Sequence, residues 1–148
     1  MIEFVYNALQ TVLPNQGAVF NTSIACPCGH VIHMNESSVF TFRGIPKNQG
    51  SSFATYFVLF KGNVALSEGA TVAPITVAIT NEGEILQTSI ATTSPAAVEV
   101  FENVVCVATI NVPKGCCSHI GIENISVGTT TNPSIDLRNA VVEIVQIK

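Results

Sequence analysis

The chain has 148 residues, and only 11% of them are Asp, Glu, Lys or Arg, against about 25% in an average soluble domain. The net charge is −4, and the six basic residues (Arg43, Lys47, Lys61, Lys114, Arg138 and Lys148) are scattered. No basic patch for nucleic-acid phosphates or an anionic membrane surface can therefore be assembled from neighbours in sequence.

Val, Ile and Thr supply 48 residues, and Val plus Ile outnumber Leu 34 to 6. Branching at Cβ restricts χ1 and favours the pleated strand over the helix. The expectation is one all-β domain over residues 1–148, large enough for a real core. The first residues are apolar, but Glu3 stands where a basic leader region belongs, so no export signal is read and synthesis in the cytoplasm is expected. The uncharged stretch 14–35 is interrupted by Asn, Gln, Gly, Ser, Thr and Pro, unlike a membrane span.

In chain order, residues 1–14 form an N-terminal segment that is either extended or a short helix; 4–13 is the best helical candidate. Strands are expected at 17–22, 29–34, 38–43, 53–61, 71–81, 84–92, 97–112, 116–126 and 137–147. The breaks between them have turn chemistry: Pro46 to Ser51, Ser67-Glu68-Gly69, Asn81-Glu82-Gly83, Pro113-Lys114-Gly115, and Gly128 to Ser134. Pro95 bends the chain before the strand at 97–112, which begins with a bulge or an irregular piece.

Two strands are apolar on both faces. In 53–60, one face carries Phe53, Thr55, Phe57 and Leu59, the other Ala54, Tyr56, Val58 and Phe60. In 140–147, Val142 and Ile144 share one face, with Val141, Val145 and Ile147 on the other. A sheet with one wet side alternates apolar and polar residues. The second apolar face therefore calls for a neighbouring subunit, and Phe57, Leu59, Val142 and Ile144 are placed at core or seam positions.

The layout resembles the trimeric jelly rolls of the complement-q and tumour-necrosis-factor type, and is most similar to bacterial and phage members such as the C-terminal domains of spore exosporium collagen-like glycoproteins. Four stretches carry the resemblance: Asn15-Gln16-Gly17-Ala18-Val19-Phe20-Asn21-Thr22 for the first strand, Phe53-Ala54-Thr55-Tyr56-Phe57-Val58 for the central one, Ile75 to Glu84 for a strand and its Asn-Glu-Gly turn, and Val107 to Gly115 with His119 to Asn124 for the penultimate hairpin. The likeness is one of pattern over most of the chain. A collagen stalk is missing, and the Cys-containing segments at 26–28 and 116–117 depart from the family pattern. The resemblance implies an antiparallel jelly-roll sandwich, a homotrimer, no catalytic residues, and a role on a spore or cell surface or a virion.

Several constellations compete with that reading. Cys26, Cys28, His30, His33 and Glu36 lie within eleven residues, and such donors suit zinc or iron. Yet Cys-x-Cys is tight for a zinc knuckle, and His30 and His33 on one strand would face opposite ways. A cupin, a metal-binding jelly roll, would use His30, His33, Glu36 and His119. Its two motifs are each out of register here, by one residue, and a slip of one reverses the face.

Cys106 and His119 suggest a thiolate pair, but Cys106 sits in an apolar run where a thiol is inert. The five cysteines (Cys26, Cys28, Cys106, Cys116 and Cys117) read as free thiols of a reduced compartment. A lectin-like trimer binding glycans is a further alternative, with no Trp and two Tyr to stack on sugars. No catalytic, cofactor or metal site is assigned. The function expected is structural or adhesive, with apolar sheet faces joining three copies and no nucleic acid or membrane as partner.

Overall fold

The structure, a computed structural model, describes residues 1–24 and 29–148. Its strands are β1 (Ile2–Tyr6), β2 (Gln10–Val12), β3 (Thr22–Ile24), β4 (Val31–His33), β5 (Phe40–Arg43), β6 (Phe53–Leu66), β7 (Ile75–Asn81), β8 (Glu84–Ile85), β9 (Ala91–Thr93), β10 (Glu102–Pro113), β11 (Cys117–Asn124) and β12 (Ile135–Gln146). One antiparallel sheet has the order β10-β6-β12-β1-β3, with β2 also on β12; the other runs β4-β5-β11-β7-β8, with β9 also on β7. The chain crosses repeatedly between the two sheets, and together they make a jelly-roll sandwich.

Alternation explains which residues the sheets enclose. Ala54, Tyr56, Val58 and Phe60 of β6, Ile110 of β10, and Val142 and Ile144 of β12 face Phe40, Phe42, Ile79, Ile120 and Ile122 from the other sheet. Aromatic rings bridge the layers: Phe4 meets Phe40 edge-on at 4.9 Å, and Phe42 meets Tyr56 at 4.7 Å. The Tyr56 hydroxyl, inside this core, donates to the Arg43 carbonyl at 2.6 Å, so its polar tip is satisfied.

The N-terminal helix expected over 4–13 does not form. β1 and β2 occupy that segment, both paired with β12. Leu9 and Leu13 are 58% and 57% exposed, so the residues that would have completed a helical stripe have no core to cover. Phe4 instead reaches the core as an alternating strand residue. A bulge between Arg138 and Val141, with Asn139 at φ 55°, lets one edge of β12 serve β2 and then β1.

Two other segments differ from expectation. The strand expected at 84–92 is split into β8, a single 3-10 turn at Gln87–Ser89, and β9. Buried Ser89 causes the break: its hydroxyl accepts from the Ile79 N–H and donates toward the Leu86 carbonyl, pinning the chain against β7. In the strand expected at 17–22 only isolated bridges form, Gly17 to Glu123 and Phe20 to Ser37, until β3 begins at Thr22.

Gly44 shows how tightly the end of β5 packs. A Cβ at this position would lie 1.9 Å from the Pro113 carbonyl oxygen, and the Gly44 N–H donates to the Cys116 carbonyl at 2.8 Å. Gly44→Ala must displace backbone rather than a flexible side-chain tip. We expect a loss of about 1–3 kcal/mol, read as a lower urea midpoint, with Gly50→Ala near neutral because its surroundings are open.

Candidate assembly face

The outward side of the first sheet is built from the same strands as the core, one residue out of phase. Antiparallel register aligns its side chains in rows. One row runs Val105, Lys61, Val141, Val5 and Thr22. The next runs Val107, Leu59, Glu143, Glu3 and Ile24, and a third joins Thr109, Phe57 and Val145. Five strands at ~4.8 Å spacing make this face about 20 Å wide.

Val105 is 54% exposed, Val107 42% and Phe57 36%. Large apolar side chains contiguous on one face differ from scattered surface hydrophobes, which need no explanation. Of the four positions expected at core or seam, Val142 and Ile144 lie inside the sandwich, while Phe57 and Leu59 point outward.

Charge on this face is sparse but ordered. Glu3 and Glu143 stand directly opposite on paired strands, an arrangement that costs energy for like charges. The face carries two cations, Lys61 and Arg138, the latter across from Asn63 and over the Phe101 ring, and among the described residues neither glutamate forms a salt bridge. At one end, an amide ladder closes the apolar area. The Asn63 amide donates to Asn103, and Asn139 Nδ2 donates to Asn63 Oδ1 at 3.0 Å.

The outward side of the second sheet has a different composition. Arg43 lies across from Cys117, Thr41 from His119, and Thr80 from Gly121. Polar and small residues dominate there, so the two outer faces of the sandwich are chemically unequal.

The candidate chemical residues do not converge. His33 points inward: its ring stacks on Phe40 at 4.5 Å and approaches Phe4 at 5.0 Å. Its Nε2 is 2.8 Å from the Ser37 carbonyl, to which it donates. Burial pushes the His33 pKa below its ordinary value, and the Ser37 hydrogen bond offsets part of that shift. His30 precedes β4 and uses its carbonyl to accept from the Arg43 N–H at 2.8 Å; its Nδ1 is buried without a hydrogen-bond partner among the described residues.

Glu36 is exposed in a turn at φ 60°. His119 is exposed on the second sheet, where Nδ1 lies 3.0 Å from Glu82 Oε1. The cupin ligand set of His30, His33, Glu36 and His119 is thus divided between the core rim, an exposed turn and the outer face of the second sheet. Among the described residues, no three His, Cys, Asp or Glu side chains gather closely enough to hold a metal ion. Cys26 and Cys28 lie outside the described residues.

Cys106 is buried, with Sγ 3.4 Å from the Val77 carbonyl, and burial pushes its pKa up to about 12. It faces the core while His119 faces solvent, so the two form no thiolate pair. Cys116 and Cys117 are exposed free thiols. Tyr56 is fully buried and offers no platform for a sugar. No described helix is long and apolar enough to cross a membrane.

Part of this face was open to sequence reasoning. The apolar doubling in β6 and β12 revealed Phe57, Leu59, Val141 and Val145. Val105 and Val107 were missed, although Val104-Val105-Cys106-Val107 carries the same two-sided signal. The Glu3–Glu143 pair required the register of two strands 140 positions apart in the chain.

The fold agrees with known structures. The globular domain of a zebrafish complement 1qA protein aligns over 99% of this chain and 96% of its own, with TM-score 0.61 and 14% identity. Eiger TNF from S. frugiperda aligns over 100% of this chain and 92% of its own, with TM-score 0.64 and 12% identity. The C-terminal domain of EclA, a sugar-binding protein, overlaps with a TM-score of only 0.37 at 15% identity, covering 82% of this chain and 89% of its own, too little to define a shared topology. No protein-family model and no curated protein matches the sequence. The chain has a C1q/TNF-like jelly-roll fold.

Two measurements check the buried groups. Because the His33 pKa is lowered on folding, the unfolded chain binds its proton more readily. Stability from this residue is complete above its ordinary value of 6.5 and is lost as pH falls through the lower folded value. The melting temperature should fall with pH in that window, and His33→Phe should flatten the slope. Under native conditions, iodoacetamide labelling followed by peptide mass mapping should modify Cys116 and Cys117 while sparing Cys106, which reacts only after unfolding.

Proposed function

We propose that this protein is a non-enzymatic, trimer-forming jelly-roll domain with a structural or adhesive role. The observation that carries the reading is the apolar outer face of the first sheet, set against the polar outer face of the second. Burying such a face yields about 25 cal/mol per Å2 of apolar area, and interfaces of several thousand Å2 hold obligate assemblies together. The C1q- and TNF-like fold supports a threefold arrangement of the copies. The setting is the one implied by the sequence resemblance: a bacterial spore or cell surface, or a phage particle.

Charge suits association between copies. Two carboxylates desolvated together at a seam need a cation to offset the cost. Lys61 from a neighbouring copy supplies one, and Lys61 itself lacks an acidic partner in its own chain among the described residues.

Light scattering on a sizing column tests the assembly. A particle of three 15.6 kDa chains that persists on dilution is expected; a monomer or a dimer overturns the threefold reading. Phe57→Glu combined with Leu59→Glu places charge on the seam without entering the core. These changes should give a folded monomer, checked by circular dichroism, and an unchanged mass would show that this face is not the seam.

A further inference from the structure

The polar side of the second sheet contains a groove of about 250 Å3 that the assembly reading does not use. Its floor is Gly121, where a Cβ would lie only 3.1 Å from Thr80 Oγ1. Glycine therefore leaves open a space that a side chain would fill. Gln16, Ser38, Thr80, His119 and Glu123 surround this floor, and Val39, 43% exposed, provides an apolar lip.

The two acids near the groove have different tasks. Glu82 is already engaged: it accepts the His119 backbone N–H at 2.7 Å and lies 3.0 and 3.2 Å from His119 Nδ1. Those contacts hold its carboxyl below the ordinary range. Glu123 is partly buried, and burial pushes its carboxyl upward. Its carboxylate makes no hydrogen bond or ion pair with any described residue.

A partly desolvated carboxylate without a partner is costly, and a cationic donor placed against it removes that cost through a charge-assisted hydrogen bond. No Lys or Arg lines the groove, so no chain cation takes the position. Thr80 Oγ1, which donates to the Gly121 carbonyl at 3.4 Å, and Ser38 Oγ add lone pairs around the same space. Ser38, Thr80 and Glu123 thus bring side-chain oxygens to a lining whose lip is apolar Val39.

We propose that this groove binds a primary ammonium group on an aliphatic stem, with Glu123 as counter-ion, Thr80 and Ser38 as further acceptors, and Val39 against the stem. The group comes from the lysine side chain of a partner polypeptide or from a free aliphatic amine. An ammonium presents three donors on a compact head, matching the carboxylate and two hydroxyls. The glutamate-bound His119 is a further lining residue of the groove.

The test is a titration of 15N-labelled full-length protein followed by NMR, with Nα-acetyl-lysine amide, n-butylammonium and Nα-acetyl-norleucine amide as separate probes. Saturable shifts of the Gly121, Gly17 and Thr80 amides are expected with both amines and not with the norleucine derivative. Tighter binding of the lysine derivative indicates a polypeptide source; equal binding indicates a free amine. Glu123→Gln should weaken binding at least tenfold while leaving the melting temperature close to wild type. Gly121→Ala should weaken it independently by raising the floor. Equal shifts with the norleucine derivative, undiminished binding to Glu123→Gln, or no saturable shifts with either amine would overturn the proposal.

Discussion

Strand β6 is the element around which the molecule is organised. It pairs with β10 along one edge and β12 along the other, so its backbone groups are satisfied within the first sheet. Its inward residues Ala54, Tyr56, Val58 and Phe60 are fully buried and give the sandwich its thickness. The opposing sheet must bring Phe40, Phe42, Ile79, Ile120 and Ile122 to meet them. Because side chains alternate along a strand, fixing these residues inward fixes Phe57 and Leu59 outward. The core and the candidate assembly face are consequences of one register.

That coupling explains the small number of charges. A sandwich with two wet faces can carry lysines and glutamates on every outward position. Here the outward positions of β6, β10 and β12 hold Phe57, Leu59, Val105, Val107, Val141 and Val145 together with Thr and Asn, and the charges among them are Lys61, Asp136, Arg138, Glu143 and, on β1, Glu3. The polar outer positions are concentrated on the second sheet, around Thr41, Arg43, His119, Thr80 and Glu123. The two outer faces are therefore chemically distinct.

The histidines illustrate why residue type alone does not define a site. His33 is an aromatic member of the core rim, stacked on Phe40 and bonded to a backbone carbonyl. His119 is a surface residue clamped by Glu82. His30 contributes its carbonyl to the hydrogen bonds that fasten β5 and Tyr56. Donor types suited to a metal are present in the sequence, but the sheets direct them apart.

The sequence alone determined the all-β class, most strand centres and the two-sided character of β6 and β12, because β-branching and period-two patterning are local properties. It also made the inert character of Cys106 legible, since the flanking valines already describe an apolar strand. Tertiary structure decided the rest. The segment at 4–13 became strands because β12 offered it an edge, an interaction across more than 120 positions that no local pattern records. Ser89 broke the expected strand at 84–92 through bonds to β7. Which side of β6 faced outward, the opposition of Glu3 and Glu143, and the isolation of Glu123 above Gly121 all depended on which strands pair and in what register. Non-local pairing is invisible to local pattern, and those features were settled only when the two sheets closed on each other.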